Sequence, residues 1–307
     1  MTNKVKSSCD ACVSLAFHGT DELGEGPHWS APEKTLYWVD IVNPALQSIK
    51  MGADGTLDEK TFIRRQMPEM VGLAVPRVEG GFIAGSESGI LAIDPSGKIT
   101  TLAQPEAHLP DNRFNDGKCD ARGRLWASSL SMSDTSEQAS LWRIDPDGSL
   151  SCMMDKVNIG NGLGWSDDNR TFYFTDSGKA TIYRFDFDLE SGTLSNRSVF
   201  AGPDKYRKGV PDGLAVDIEG YVWSAQWDGA CIIRYAPDGS IDRIINVPVP
   251  RPTSCSFGGV DGSTLFVTSA RVGLSETQLA EAPLSGSLFA IESGTTGKPG
   301  QSFGATV

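Results

Sequence analysis

The sequence predicts an all-β fold, a six-bladed β-propeller with four-stranded blades, on three observations. The first is a pattern that returns six times. It reads EGPHWSAPEKTLYWVD from Glu25, VGLAVPRVEGGFIAG from Val71 and DGKCDARGRLWAS from Asp116. It returns as NGLGWSDDNRTFYFTD from Asn161, DGLAVDIEGYVWSA from Asp212 and TSCSFGGVDGSTLFVTS from Thr253. Successive starts lie 41 to 51 residues apart, the length of one four-stranded propeller blade. The second observation is a strand inside most repeats, TLYWVD, RLWAS, TFYFTD, YVWSA or TLFVTS, rich in β-branched and aromatic residues. The third is a turn at a similar phase in five repeats. It is GADG from Gly52, DPSG from Asp94, DPDG from Asp145 and APDG from Ala236, with a longer DLESGTL from Asp188. Pro and Gly at fixed offsets pre-set the backbone for such turns.

Most repeats open with a short apolar strand close to a Gly and then turn through Gly, Asp, Asn or Pro. The aromatic strand follows, and a third strand runs into the recurring turn. No linker or low-complexity stretch divides the chain, so residues 1–307 are read as one domain. The segment GLSETQLAEAPL (273–284) carries some helical character, but its Pro283 and its position between two strand signals favour a loop. The polar, Gly-rich tail from about residue 293 is expected to be mobile.

The chain has 39% hydrophobic and 21% charged residues, as soluble globular proteins do. Its net charge of −12 and the absence of a basic stripe argue against nucleic-acid binding. No apolar run is long enough to span a bilayer. The N-terminal segment lacks the apolar core of a secretory signal, so the expected compartment is the cytosol and no membrane partner is foreseen. Six cysteines are scattered; Cys9 and Cys12 form a CxxC pair with no second pair or His cluster to complete a zinc site. They are read as reduced thiols, with a disulfide or redox role as the alternative.

In a propeller the innermost strands surround one central channel, so equivalent repeat positions converge at one rim. Those positions are Glu25, Val71, Asp116, Asn161, Asp212 and Thr253. Asp or Asn before Gly is also an ordinary turn residue. Three oxygen-bearing side chains at one phase, Glu25, Asn161 and Asp212, point instead to a hard-cation site. Asp116 is alternatively read as facing into its blade to cap a turn. The three histidines, His18, His28 and His108, are too few for a zinc site built on several imidazoles. His28 lies near the rim in sequence and is given no catalytic task. The run Arg113-Phe114-Asn115-Asp116-Gly117-Lys118 places a cation and an amide where they can bind a hydroxylated substrate. No G-x-S-x-G elbow, P-loop or G-x-G-x-x-G after a strand is present, which argues against serine-hydrolase and nucleotide chemistry.

The chain resembles the gluconolactonase/senescence-marker-protein family, which includes regucalcin-like proteins and luciferin-regenerating enzymes. The matching segments are GEGPHW with YWVD (24–29, 37–40), RFNDGKCDARGRLWAS (113–128), NGLGWSDDNRTFYFTDS (161–177), FDFDLESGTLSNR (185–197), PDGLAVDIEGYVWSAQWDGACIIRY (211–235) and RPTSCSFGG with LFVTSAR (251–259, 265–271). The resemblance covers about residues 13 to 292. It implies a six-bladed propeller with one divalent cation in the channel, held by Glu25, Asn161 and Asp212. It also implies substrate contacts from Arg113 and Asn115, and Asp212 as general base. The stretch SSLSMSDTSEQ (128–138) departs from animal members that carry an acid near the rim; counting puts Ser133 there, with Asp134 next. Substrate preference does not transfer from those members.

The expected activity is metal-dependent hydrolysis of a sugar lactone to its acid. The cation would polarise the carbonyl, Asp212 would assist attack by water, and Arg113 and Asn115 would orient hydroxyl groups. Oxygen ligation suits Ca2+ best, with Mg2+, Mn2+, Zn2+ and Fe2+ as further possibilities. Competing readings are another metal-dependent esterase or phosphotriesterase on the same site, and a non-enzymatic cation-binding propeller.

Overall fold

The computed structural model describes residues 13–204 and 208–304. They form six four-stranded antiparallel sheets, the blades of a six-bladed propeller. The innermost strands are Gly24–Ser30, Val71–Pro76, Asn112–Cys119, Gly160–Trp165, Val210–Val216 and Pro252–Gly258, for blades 1 to 6. Each packs beside the innermost strands of its two neighbours, so the six ring a central channel. In the last blade the outermost strand is Val13–Phe17, which pairs with Leu288–Glu292 and closes the ring by joining both ends of the chain. Cys9 and Cys12 lie outside the described residues. No described helix is long and apolar enough to cross a membrane.

Apolar cores lie between adjacent blades. Val39 and Ile41 of blade 1, for example, pack against Val71, Ala74, Ala84 and Leu91 of blade 2. The aromatic strands supply the largest buried side chains, Trp38, Trp126 and Trp223. A buried indole needs an acceptor for its N–H. Asp21, Asp120 and Asp217 provide it at 2.8, 2.9 and 2.9 Å. In blades 3 and 5 the same Asp also caps the turn between the first two strands. Asp120 accepts from the N–H groups of Arg122 and Arg124, and Asp217 from those of Glu219 and Tyr221. Each carboxylate is then neutralised by a buried arginine, Arg124 at 2.6 Å and Arg234 at 2.6 Å. One Asp thus ties turn, core and adjacent strand together.

The recurring turns form where the sequence places them. Gly97, Gly148 and Gly239 have φ of 91°, 87° and 85°, and each donates its N–H to the carbonyl three residues earlier. One expectation is corrected. Glu276–Glu281, inside the segment read as a loop, is a short helix. Ser275 and Gln278 form a reciprocal capping box that satisfies two end N–H groups, and Pro283 falls just beyond the helix, where it does no harm. The tail through Gly304 is tied to the blades by backbone hydrogen bonds. Ile218 N–H donates to Thr296 O, Gly297 N–H to Gly262 O, Gly300 N–H to Trp29 O, and Phe303 N–H to Pro76 O, with Phe303 buried. These partners belong to blades 5, 6, 1 and 2, at or near the turns after their innermost strands. The tail therefore crosses the channel mouth opposite the strand starts.

The Asp120 network gives a stability prediction. Asp120→Ala leaves Arg124 without its carboxylate and Trp126 Nε1 without an acceptor, and should destabilise by about 3–5 kcal/mol. Urea unfolding of the variant checks this; an unchanged midpoint would contradict it.

Candidate metal centre and active site

Each innermost strand loses its regular pairing near its start. The irregularity falls between Glu25 and His28, Val71 and Leu73, Phe114 and Asp116, Gly160 and Leu163, Pro211 and Leu214, and Pro252 and Cys255. Bulges of this kind re-aim side chains and gather next to active sites. Glycine follows most of these positions because neighbouring inner strands approach closely. A Cβ on Gly162 would run into Asp212 O and Leu214 N, and one on Gly213 into Ser254.

Glu25, Asn161 and Asp212 are all buried at this end of the channel, 4%, 6% and 4% exposed. Asp116, 1% exposed, joins them. The reading of Asp116 as a cap turned into its blade is only half right. Its Oδ1 accepts from Gly117 N–H at 2.6 Å, but Oδ2 has no partner, and its charge acts on both Glu25 and Asp212. Glu25 uses the same device, with Oε2 accepting from Gly26 N–H at 2.9 Å. The amide of Asn161 is oriented from behind. Its Nδ2 donates to Ser177 Oγ at 3.1 Å, and Ser177 Oγ donates to Pro211 O at 2.6 Å. Asn161 Oδ1 and Asp212 Oδ1 remain buried without a hydrogen-bond partner.

Buried acids without compensation hold their protons. Burial pushes Glu25 up to about 8, with repulsion from Asp116 adding to it. Asp212 is driven well above the usual carboxylate range by burial and then by Glu25 and Asp116. Burial raises Asp116 as well. Orphaned carboxylate and amide oxygens facing a crowd of like charges are the environment a hard divalent cation would relieve. The donor set therefore fits such an ion. Among the described residues no three His, Cys, Asp or Glu side chains group closely enough to hold a metal by themselves. The candidate set instead takes its third protein oxygen from an amide.

Arg113 lies beside this cluster, 8% exposed. One guanidinium nitrogen donates to Asn115 Oδ1 at 2.7 Å and Phe114 O at 3.0 Å. Asn115 Nδ2 donates across to Gly160 O in blade 4 at 2.9 Å. Asn115 thus fixes Arg113 and ties blades 3 and 4. Burial lowers Arg113 to about 10, so it stays charged at neutral pH. A cavity of 200 Å³ opens beside it, lined by Ser86, Glu87, Glu106 and Asn112 among others.

Other phase-equivalent positions do not join the cluster. Val71 is part of the core between blades 1 and 2, and Thr253 Oγ1 donates to Gly24 O. Ser133 and Asp134 are exposed, and Ser133 sits in a hydroxyl chain with Ser131 and Thr135. His18 and His108 are exposed, while His28 is buried further down the channel. Sequence reasoning gave no role to Ser177 or Lys118. Lys118 was detectable, since alternate strand residues share a face and it lies two residues after Asp116. Ser177 acts through tertiary contacts, holding Asn161 within blade 4 while it is itself held by Pro211 O of blade 5.

The SMP-30/gluconolactonase/LRE-like family model matches residues 23–271, most of the chain and every innermost strand. The chain belongs to this family. It is 34% identical over 295 residues to regucalcin from Danio rerio, covering 95% of this chain and 98% of that one. It is 37% identical over 271 residues to the 6-deoxy-6-sulfogluconolactonase of Pseudomonas putida, covering 87% and 90%. Among solved structures it is similar to the calcium-binding protein regucalcin from Agrobacterium tumefaciens, with a TM-score of 0.88 at 26% identity, covering 96% and 98%.

The buried acids give a pH prediction for metal-free protein. Glu25 moves from 4.5 to about 8 on folding. A raised acid contributes stability that is full below its unfolded value and lost as pH rises through its folded value. The thermal midpoint of metal-free protein should therefore fall between about pH 5 and pH 8. Added Ca2+ should raise the midpoint more at pH 8 than at pH 5. An equal response at both pH values would count against the cluster.

Proposed function

We propose that this protein hydrolyses a sugar lactone to the corresponding acid at the cation site formed by Glu25, Asn161 and Asp212. The observation that carries this reading is the pair of buried, unpartnered oxygens of Asn161 and Asp212, next to a buried arginine and an adjoining cavity. Membership of a family with a sulfogluconolactonase and a pentonolactonase supports the reaction class. Bound there, a divalent cation would polarise the lactone carbonyl and favour ionised carboxylates. Ca2+ is the first choice, since all the donors are oxygens and Ca2+ accepts irregular oxygen coordination completed by water or substrate.

The chain's own residues then divide the work. Glu25 and Asn161 would hold the cation, and Ser177 fixes the Asn161 amide from behind. Asp212 takes the proton of the attacking water as general base. Arg113 hydrogen-bonds the substrate's hydroxyl or ring oxygens, so that binding energy goes into positioning. Asn115 fixes the guanidinium and bonds Gly160 O, and the second N–H of its amide remains for a substrate oxygen. Walls this deeply buried exclude bulk water and strengthen each of these contacts.

In a pH-stat assay on a panel of aldonolactones, Ca2+-loaded protein should release acid. Asp212→Asn should lower kcat by roughly 10²–10⁴-fold. Arg113→Gln should lower kcat/KM while cation binding persists. Full activity of Asp212→Asn with cation bound would refute its role as base. Folded, cation-loaded wild type that releases no acid from any lactone would refute the reaction.

A further inference from the structure

The channel has a second mouth, and its chemistry is opposite to the first. A cavity of 420 Å³ occupies it, within the range of small-molecule sites. Innermost strands of five blades contribute to its walls, and Lys298–Gln301 of the anchored tail closes over it. Among the described residues no Asp or Glu lines this cavity. Its charged wall residues are Lys118 and Lys298, and Lys298 is paired with Asp167 at 3.0 Å. Lys118 Nζ donates to Leu214 O at 2.5 Å and has no carboxylate within ion-pair distance among the described residues. Two ring nitrogens on the same walls, His28 Nε2 and Trp165 Nε1, are buried with no hydrogen-bond partner. His28 is 6% exposed. The rest of the wall is largely apolar, with Pro27, Ala215, Val216 and Phe257.

Buried donors are rarely left unpaired, and an indole N–H has no other way to be satisfied than by an acceptor. The missing partner is therefore an acceptor, next to an ammonium and with an apolar portion. We propose that this tail-covered mouth is a second ligand site, which takes a small organic carboxylate. The carboxylate accepts from Trp165 Nε1 and Lys118 Nζ, charge-assisted hydrogen bonds of the stronger kind. Its carbon skeleton lies against Phe257 and the Trp165 ring. His28 is neutral, since burial and the nearby Lys118 hold it down at about 4, and it donates to the carboxylate in the tautomer that carries the proton on Nε2. Lys118 connects the two ends of the channel, because its Leu214 acceptor lies two residues from Asp212. The site stands on these contacts and does not depend on the lactonase reading.

The test is an NMR titration of metal-free, 15N-labelled protein with sodium acetate and sodium benzoate. Sodium chloride at matched ionic strength is the control. The Trp165 indole signal is identified by its loss in Trp165→Phe. Both carboxylates should shift that signal saturably, benzoate at lower concentration, and chloride should not. Lys118→Met should weaken binding about tenfold or more, and Arg113→Gln, at the other mouth, should leave it unaltered. A wild-type titration without saturation, an equal shift with chloride, loss of the shift in Arg113→Gln, or undiminished binding by Lys118→Met would each overturn the proposal. If Lys118→Met fails to fold, the wild-type titration still decides.

Discussion

Burial of three carboxylates at one end of the channel, with repulsion between them added to it, is the constraint on which this molecule turns. Glu25, Asp116 and Asp212 come from three different blades and meet where water has been excluded. Without a counter-charge each acid resists ionisation, and the cluster favours neutral forms over charged ones. The protein supplies part of the compensation itself. The N–H groups of Gly26 and Gly117 each bond one carboxylate, and Arg113 and Lys118 place two positive charges close by. That compensation is incomplete, since Asp116 Oδ2, Asp212 Oδ1 and Asn161 Oδ1 are still unpartnered. A fold held together by six blades and a closed ring can carry such a local strain, because no single blade depends on it.

The same architecture keeps structural and functional charges apart. Asp120 and Asp217 are also buried acids, yet each is satisfied by an indole, two turn N–H groups and an arginine. They sit at the turns between the first and second strands, at the opposite end of the blade from the cluster. Position along the innermost strand thus separates carboxylates that brace the fold from carboxylates left with free oxygens. Lys118 stands between the two ends, partnered by a carbonyl rather than an acid. It faces a cluster rich in acceptors on one side and a cavity rich in donors on the other.

Much of this was legible in the chain. The repeat spacing gave six blades, and Gly at fixed offsets gave the turns, because both are written in local residue types. Glu25, Asn161 and Asp212 stood out because a repeat makes phase a proxy for position around an axis. What escaped the sequence depended on tertiary contacts and on local irregularities in strand pairing. The orientation of Asn161 rests on Ser177 and on a carbonyl of blade 5. The inward charge of Asp116 depends on a bulge one residue earlier than the repeat phase implies, at Asn115. The tail looked mobile from its composition, yet backbone hydrogen bonds tie it to five blades, and composition carries no record of those.

The most direct test of the central claim is calorimetric titration of Ca2+ into metal-free wild type and into Asn161→Ala. One ion should bind per chain in the wild type, and removing the amide oxygen should weaken that binding by roughly 10–100-fold or more. Absence of binding in the wild type, or equal affinity in the variant, would show that the three inner-strand oxygens do not form a cation site.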